Sequence, residues 1–131
     1  MRILLIDDDH CEHRLVDCYL VAKFGADYDL VATACLDEAL DHLARERFDA
    51  ILLDDQLRPF GDARRNVPLI REACGTTPIV LISVSDLSGR AVELRDHDIT
   101  DTVDKFELKT HIMGGLLGSH TMDAGGSGIA R

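Results

Sequence analysis

Side chains with carboxylate, hydroxyl or ammonium groups follow four apolar segments of this 131-residue chain. They are Asp7, Asp8, Asp9, Asp54, Asp55, Ser83, Asp104 and Lys105. Carboxylates that converge at one place repel one another, so they hold protons more tightly or require a cation. Oxygen ligands of this kind suit Mg²⁺, and a hydroxyl and an ammonium beside it could hold a phosphoryl group. The residue types therefore predict a magnesium and phosphoryl site, provided that the fold brings them together.

Four short apolar runs and a weaker fifth segment, residues 99–103, predict the β-strands that would position these groups. The four runs cover residues 3–6, 30–34, 50–53 and 79–82. Because the runs are continuously apolar, both faces of the sheet must be covered. Helical segments alternate with the strands, which predicts a parallel α/β sheet with right-handed crossovers. Ligands bind outside the carboxyl ends of such strands, where the reactive groups lie.

Five helices are predicted between and after the strands. The first begins with the capping-box spacing of Asp9 and Glu12, extends to about Lys23 and ends at Gly25. The others cover about residues 36–44, 67–74, 87–96 and a stretch from 107, with Pro68 in the first turn of the third. Glycines at 114 and 115 cost about 1 kcal/mol each relative to alanine, so the last helix is expected to be short, kinked or frayed.

Charge and composition narrow the class of protein. The chain has 14 Lys and Arg against 24 Asp and Glu, which argues against binding of nucleic acid or anionic membrane and is compatible with divalent cations and basic proteins. No apolar run could span a membrane, residues 3–6 lead into aspartates rather than a signal-peptide cleavage site, and the four cysteines have no CxxC spacing. We therefore expect a cytoplasmic protein with reduced, buried thiols, one domain over residues 1–118 and a disordered tail at 119–131.

Four segments resemble the receiver domains of bacterial two-component response regulators. They are the runs from Arg2 to Asp9, from Phe48 to Leu57, from Pro78 to Ser83 and from Val103 to Lys105. They follow the order and spacing of that family over about residues 2–118. The resemblance implies the flavodoxin-like (βα)₅ fold, a doubly wound parallel sheet of five strands in the order 2-1-3-4-5.

The resemblance also implies a metal site at the carboxyl edge of the sheet. Asp8 and Asp54 would ligate Mg²⁺ directly, together with the backbone carbonyl of Gln56. Asp7 would act mainly through a water molecule. Mg²⁺ is therefore the expected cofactor.

The same resemblance implies how a phosphoryl group would be held. Asp54 would be the phosphoacceptor that attacks a phosphohistidine, Ser83 would contact the phosphoryl group through its hydroxyl, and Lys105 would pair with a phosphoryl oxygen. We favour Asp54 over Asp55 because the family has an apolar residue three positions after the acceptor, where Leu57 stands. Asp55 is interpreted as a solvated loop acid.

The partners follow from the same resemblance. The phosphoryl donor would be a histidine kinase or a histidine phosphotransfer protein, and phosphorylation would switch contacts with a downstream protein. Such a receiver is not an enzyme in the sense of turnover, although it promotes its own phosphorylation and hydrolysis. No nucleic acid or membrane is expected as a partner.

Several residues depart from the family pattern. Arg58 stands where the family usually has proline, and residues 58–66 are expected to form an irregular, solvated loop. Phe106 replaces the proline that commonly follows the family's lysine through a cis bond, so the segment after Lys105 is expected to be reshaped. Thr102 replaces the family's aromatic switch residue. Together these changes predict an unusual output surface.

Two other functions stay open. A pseudo-receiver of the same fold would act as an interaction module without being phosphorylated, which Thr102 and Phe106 favour. The pattern Asp7-x-Asp9 after a strand also resembles the nucleophile motif of haloacid-dehalogenase-type phosphatases, but a small Mg²⁺-dependent phosphatase of that kind leaves Asp54 without a role. Gln56 either orients a hydrolytic water or supplies only its backbone carbonyl.

Overall fold

A computed structural model describes residues 1–57, 61–83 and 99–115 of the chain. The elements are β1 (Arg2–Ile6), α1 (His10–Phe24), β2 (Asp29–Thr33), α2 (Leu36–Arg45), β3 (Ala50–Asp54), β4 (Gln56–Leu57), β5 (Gly61–Asp62), α3 (Ala63–Cys74), β6 (Ile79–Ser83), β7 (Asp101–Asp104), a 3₁₀ turn (Lys105–Glu107) and α4 (Leu108–Met113). The helix expected at 87–96 and the tail expected at 119–131 lie outside the described residues. The division between a domain at 1–118 and that tail therefore stays a prediction.

Five strands form one parallel sheet in the order β2-β1-β3-β6-β7. This confirms the predicted doubly wound fold with strand order 2-1-3-4-5. The chain moves outward in one direction from β1 to β2 and in the other from β3 to β7. Ligands bind where the order reverses, because the connections leave a crevice at the carboxyl ends of the strands there. That point lies between β1 and β3.

Alternate residues of the central strands face two different apolar layers. Ile3 and Leu5 of β1 pack in a layer with α1 and α4, whereas Leu4 and Ile6 pack in a layer with α2 and α3. All four side chains are fully buried, and burying one aliphatic side chain stabilises a fold by about 1.5–3 kcal/mol. The α1/α4 layer and the α2/α3 layer therefore hold the strand ends in a fixed orientation.

The helix ends largely follow the sequence signals. The Asp9 carboxylate accepts a hydrogen bond of 2.9 Å from the Cys11 N–H at the start of α1, and Gly25 ends this helix with a φ of 63°. The last helix ends at Met113, directly before Gly114, so the expectation of a short helix is confirmed. Among the described residues, no helix has the length and apolar character that a membrane span requires.

Two expectations about local structure are wrong. Within the segment expected to be an irregular loop, residues 61–66 are regular, because Gly61 and Asp62 form β5, which pairs antiparallel with β4, and α3 begins at Ala63. Residues 58–60 lie outside the described residues. Because α3 begins at Ala63, Pro68 lies inside this helix rather than in its first turn. A proline removes one backbone donor, and Asn66, two residues before it in the helix, is fully buried. The thiols also differ, since two of the four free cysteines are exposed and two are half-buried.

Candidate functional site

Three carboxylates meet at the carboxyl ends of β1 and β3. One oxygen each of Asp7, Asp8 and Asp54 lies within 4.8 Å of the other two. Asp7 is only 1% exposed, whereas Asp8 and Asp54 are half-buried and open toward solvent. The N–H of Asp9 donates a 2.9 Å hydrogen bond to Asp7 Oδ1 and helps to fix its side chain. The switch point of the sheet therefore carries a compact acid cluster.

The acid cluster is electrostatically costly for the protein. Burial raises the pKa of Asp7, and this outweighs the hydrogen bond from Asp9, the charge of Lys105 and a side-chain hydrogen bond with Asp54, all of which lower it. The charge of Glu12 raises the pKa of Asp7 further. Asp7 thus holds its proton more tightly than an ordinary aspartate, unless a cation offsets its charge.

Lys105 reaches this cluster from the end of β7. Its Nζ lies 3.7 Å from Glu12 Oε1, and its side chain is 20% exposed. The turn that carries it is capped by Asp104, whose carboxylate accepts a 2.9 Å hydrogen bond from the N–H of Phe106. The residue that replaces the family's proline therefore lies in a capped 3₁₀ turn.

The charge of Lys105 is supported by the acids around it. Burial alone would lower the pKa of the ammonium, but the charges of Asp7, Glu12 and Asp54 outweigh that effect, so the pKa is raised. The lysine therefore stays positively charged. A positive charge at the open edge of the acid cluster is suited to a phosphoryl oxygen.

Ser83 and Asp55 lie together at the carboxyl ends of β6 and β3. The alternation that puts Leu53 and Leu81 in the α2/α3 layer puts Asp55 and Ser83 on that side as well. The Ser83 hydroxyl donates a 3.3 Å hydrogen bond to Asp55 Oδ2, and both residues are buried. The interpretation of Asp55 as a solvated loop acid is wrong, because this carboxylate is fully buried.

Solved structures with similar folds decide what this architecture is. A receiver domain of a sensor histidine kinase from Pseudomonas aeruginosa PAO1, with magnesium in its active-site cleft, is 22% identical, with a TM-score of 0.75 over 92% of this chain and 96% of that chain. A CheY-like receiver domain protein from Methanospirillum hungatei JF-1 is 16% identical, with a TM-score of 0.82 over 97% and 98%. The Mn²⁺-bound response regulator Rcp1 is 22% identical, with a TM-score of 0.73 over 87% and 90%. The chain has the receiver fold.

The likeness to receivers is one of structure. No family model matches the sequence, and no curated protein matches it either. The two metal-bound neighbours are described as holding Mg²⁺ in an active-site cleft and Mn²⁺, respectively. What these neighbours bind is a property of those proteins, and this chain must be judged by its own donor atoms.

The acid cluster of this receiver fold has the donor set that a small, hard cation prefers. Asp7, Asp8 and Asp54 offer carboxylate oxygens, and Mg²⁺ is typically held by one or two carboxylates and several waters. The cluster is half open, which leaves room for those waters and for a phosphoryl oxygen. The raised pKa of Asp7 also fits a cation site, because a bound cation would lower this pKa. The residues therefore fit Mg²⁺.

The structure brings together four of the residues singled out from the sequence. Asp7, Asp8, Asp54 and Lys105 surround one space, whereas the hydroxyl of Ser83 is directed to Asp55. The remaining residue, Gln56, lies in β4 directly after this group. The roles assigned to these residues stay predictions.

Sequence reasoning missed the part that Glu12 takes in the site. Its 7% exposure places it on the buried stripe of α1 with Val16 and Leu20, four and eight residues later. The capping-box interpretation explained the glutamate as a local helix signal, so its position on that stripe was overlooked. Burial raises the pKa of Glu12, and the charges of Asp9 and Asp54 raise it further against the attraction of Lys105. An acid in line with apolar residues at helical spacing was the available signal.

Proposed function

We propose that the chain is a phosphoacceptor receiver of a two-component phosphorelay, in which Asp54 accepts a phosphoryl group. The donor is the phosphohistidine of a histidine kinase or of a histidine phosphotransfer protein, and the product switches contacts with other proteins. The observation that supports this most strongly is the acid cluster of Asp7, Asp8 and Asp54 beside the charged Lys105. In this proposal the chain is a cytoplasmic signalling module that turns over no external substrate.

The proposed reaction transfers one phosphoryl group between two side chains. An oxygen of Asp54 forms a bond to phosphorus while the bond between phosphorus and the donor's imidazole nitrogen breaks. The electron pair of that bond stays on the nitrogen, which then takes a proton from solvent. Lys105 and the hydroxyl of Ser83 serve the phosphoryl oxygens, because a loose transition state of this kind needs positioning and charge neutralisation more than acid or base catalysis.

The metal belongs to the same proposal. Asp8, Asp54 and the backbone carbonyl of Gln56 would hold Mg²⁺, and Asp7 would contact it through water. When bound, the ion offsets the charge of the carboxylates and of the transferring group. Gln56 is also a candidate for orienting the water that later hydrolyses the aspartyl phosphate, and an unchanged phosphate lifetime in Gln56→Ala would exclude this role.

A pseudo-receiver that is not phosphorylated is the second candidate. It is favoured by a specific observation, since both groups proposed to contact the phosphoryl group lie against acids of this chain. Ser83 is bonded to Asp55, and Lys105 lies near Glu12. Such a module would present the receiver fold as a constitutive interaction surface.

Phosphorylation by a small donor separates the two candidates. We expect the wild-type chain to gain one phosphoryl mass with phosphoramidate and Mg²⁺, measured on the intact protein, and Asp54→Asn to gain none. Asp41→Asn is the matched control, because it removes the same charge from an exposed ion pair with Arg45 on α2. A gain that persists in Asp54→Asn would contradict the assignment of the acceptor, and no gain in the wild type would favour the pseudo-receiver.

A further inference from the structure

Asp55 is a buried carboxylate that the proposed phosphoryl transfer does not use. Its side chain is 0% exposed, and its N–H donates a 2.8 Å hydrogen bond to the carbonyl of Ile82. That bond ties the backbone of Asp55 to β6, the strand that ends in Ser83. The carboxylate thus directly follows β3 and the hydroxyl ends β6, two strands that pair with each other in the sheet. The 3.3 Å hydrogen bond between the two side chains joins buried groups at the edge of the sheet and is not a contact between surface side chains.

We propose that Asp55 is a positioning residue that binds the Ser83 hydroxyl in the unphosphorylated state. It thereby lowers the affinity of the site for a phosphoryl group. The inference rests on the proposed receiver function. It adds Asp55, a residue outside the acid cluster, as a determinant of the affinity for the phosphoryl group.

The Ser83 hydroxyl can donate only one hydrogen bond at a time. Serine has one O–H proton to donate, and in this structure the Ser83 hydroxyl donates it to Asp55 Oδ2. The oxygens of a phosphoryl group also accept at neutral pH, so Asp55 and the phosphoryl group compete for the same proton. Ser83 must break its bond to Asp55 before it can donate to the phosphoryl group. We therefore expect the competition for this proton to change the affinity about tenfold.

Charge repulsion is the competing explanation for any effect of Asp55. If Asp55 is charged, its removal would favour an anion nearby even without any movement of Ser83. The two explanations differ in a double-mutant cycle. An effect transmitted through the hydroxyl vanishes once Ser83 is alanine, whereas an effect of charge alone persists.

The test measures the affinity for beryllofluoride, a phosphoryl mimic, with excess Mg²⁺ by isothermal titration calorimetry. We expect Asp55→Ala to bind about tenfold more tightly than the wild type, because the Asp55 carboxylate no longer accepts the proton of Ser83. Asp55→Asn should bind about threefold more tightly, because a neutral amide oxygen still accepts but more weakly. In Ser83→Ala both gains should disappear. Asp41→Asn controls for net charge, and urea unfolding shows that each variant is folded.

The outcomes separate this inference from the proposed function. A graded gain that disappears in the Ser83→Ala background supports the positioning role, even if the wild type itself binds too weakly to measure. Unchanged or weaker binding in both Asp55 variants, beside clear binding by the wild type, overturns the positioning role and leaves the receiver function intact. A gain that persists in Ser83→Ala overturns it in favour of charge repulsion. If neither the wild type nor any variant binds the mimic, the receiver function fails and this inference fails with it.

Discussion

The acids at the two ends of the sheet have opposite electrostatic properties. At the amino end, the guanidinium of Arg2 bonds to Glu46, and His42 Nδ1 lies 2.8 Å from the same carboxylate. The hydrogen bond with His42 and the bond and charge of Arg2 hold the pKa of Glu46 below its usual range, against a smaller effect of burial. At the carboxyl end, the pKa values of Asp7 and Glu12 are raised by burial.

The difference distinguishes an acid whose charge the folded chain favours from acids whose charge the folded chain disfavours. The folded chain favours the charged form of Glu46 at the amino end. This carboxylate therefore needs no bound cation to offset its charge. The carboxyl-end acids are more easily protonated in the folded chain than in the unfolded one, although Lys105 lies among them. An arrangement that costs stability and is relieved by a cation is typical of a functional site. Each prediction below tests one side of this contrast.

Magnesium should produce the largest effect, and only at the carboxyl end. A cation at one hundred times its dissociation constant stabilises the folded state by about 2.7 kcal/mol. We expect this gain in wild-type urea unfolding with Mg²⁺, and we expect Asp8→Asn to lose most of it. Glu46→Gln at the amino end should keep all of it. An equal gain in the two variants would show that the ion acts nonspecifically.

Lys105→Ala should have the second largest effect. It should lower the free energy of unfolding by about 2 kcal/mol in metal-free buffer. The substitution leaves Asp7 and Glu12 buried without the cation that attracts both, and breaking a buried pair in this way is strongly destabilising. Mg²⁺ should restore part of the loss. Lys109→Ala removes the same charge from an exposed position on α4 and serves as the control. Equal stabilities of the two variants would contradict the electrostatic role of Lys105.

Asp7→Asn should increase the free energy of unfolding of the metal-free protein by about 1 kcal/mol at pH 7, which is an unusual direction for a substitution. Because the folded pKa of Asp7 is raised, the folded chain binds more protons than the unfolded chain between the usual 3.8 and the raised value. The wild type therefore loses stability as pH rises through that window, and the variant is spared this loss. The measurement is the free energy of unfolding from pH 4 to pH 7. A variant less stable than the wild type at pH 7 would contradict the contrast.

The sequence could predict which acids lie at the carboxyl ends of the strands, but it could not predict all of the contacts there. The apolar runs before Asp7 and Asp54 identify parallel strands, and strand order alone then brings both acids to the switch point. The partnership of Asp55 with Ser83 was also accessible, because period-two alternation puts both on the α2/α3 side. Only the expectation of a solvated loop concealed it.

Other features had no usable signal. Strands β4 and β5 have two residues each, too few for any hydrophobic period, so the ladder between Gln56 and Asp62 could not be predicted. The capped turn after Lys105 depends on a local hydrogen bond from Phe106 to Asp104, which competes with many other loop conformations. Contacts of this kind are decided by geometry rather than by pattern.

Glu46→Gln should give the smallest effect, and its pH profile should run opposite to that of Asp7→Asn. A lowered folded pKa means that Glu46 contributes stability above its usual value of 4.5 and that this contribution is lost as pH falls through the lower folded value. The variant should therefore melt slightly below the wild type at pH 7, and the difference should shrink toward pH 3. Its size is small because the side chain is 26% exposed, where solvent and salt screen the pairing with Arg2 and His42. Added salt should reduce it further. A difference that grows on acidification would mean that Glu46, like Asp7, is held at a cost, and the two ends of the sheet would then no longer differ in kind.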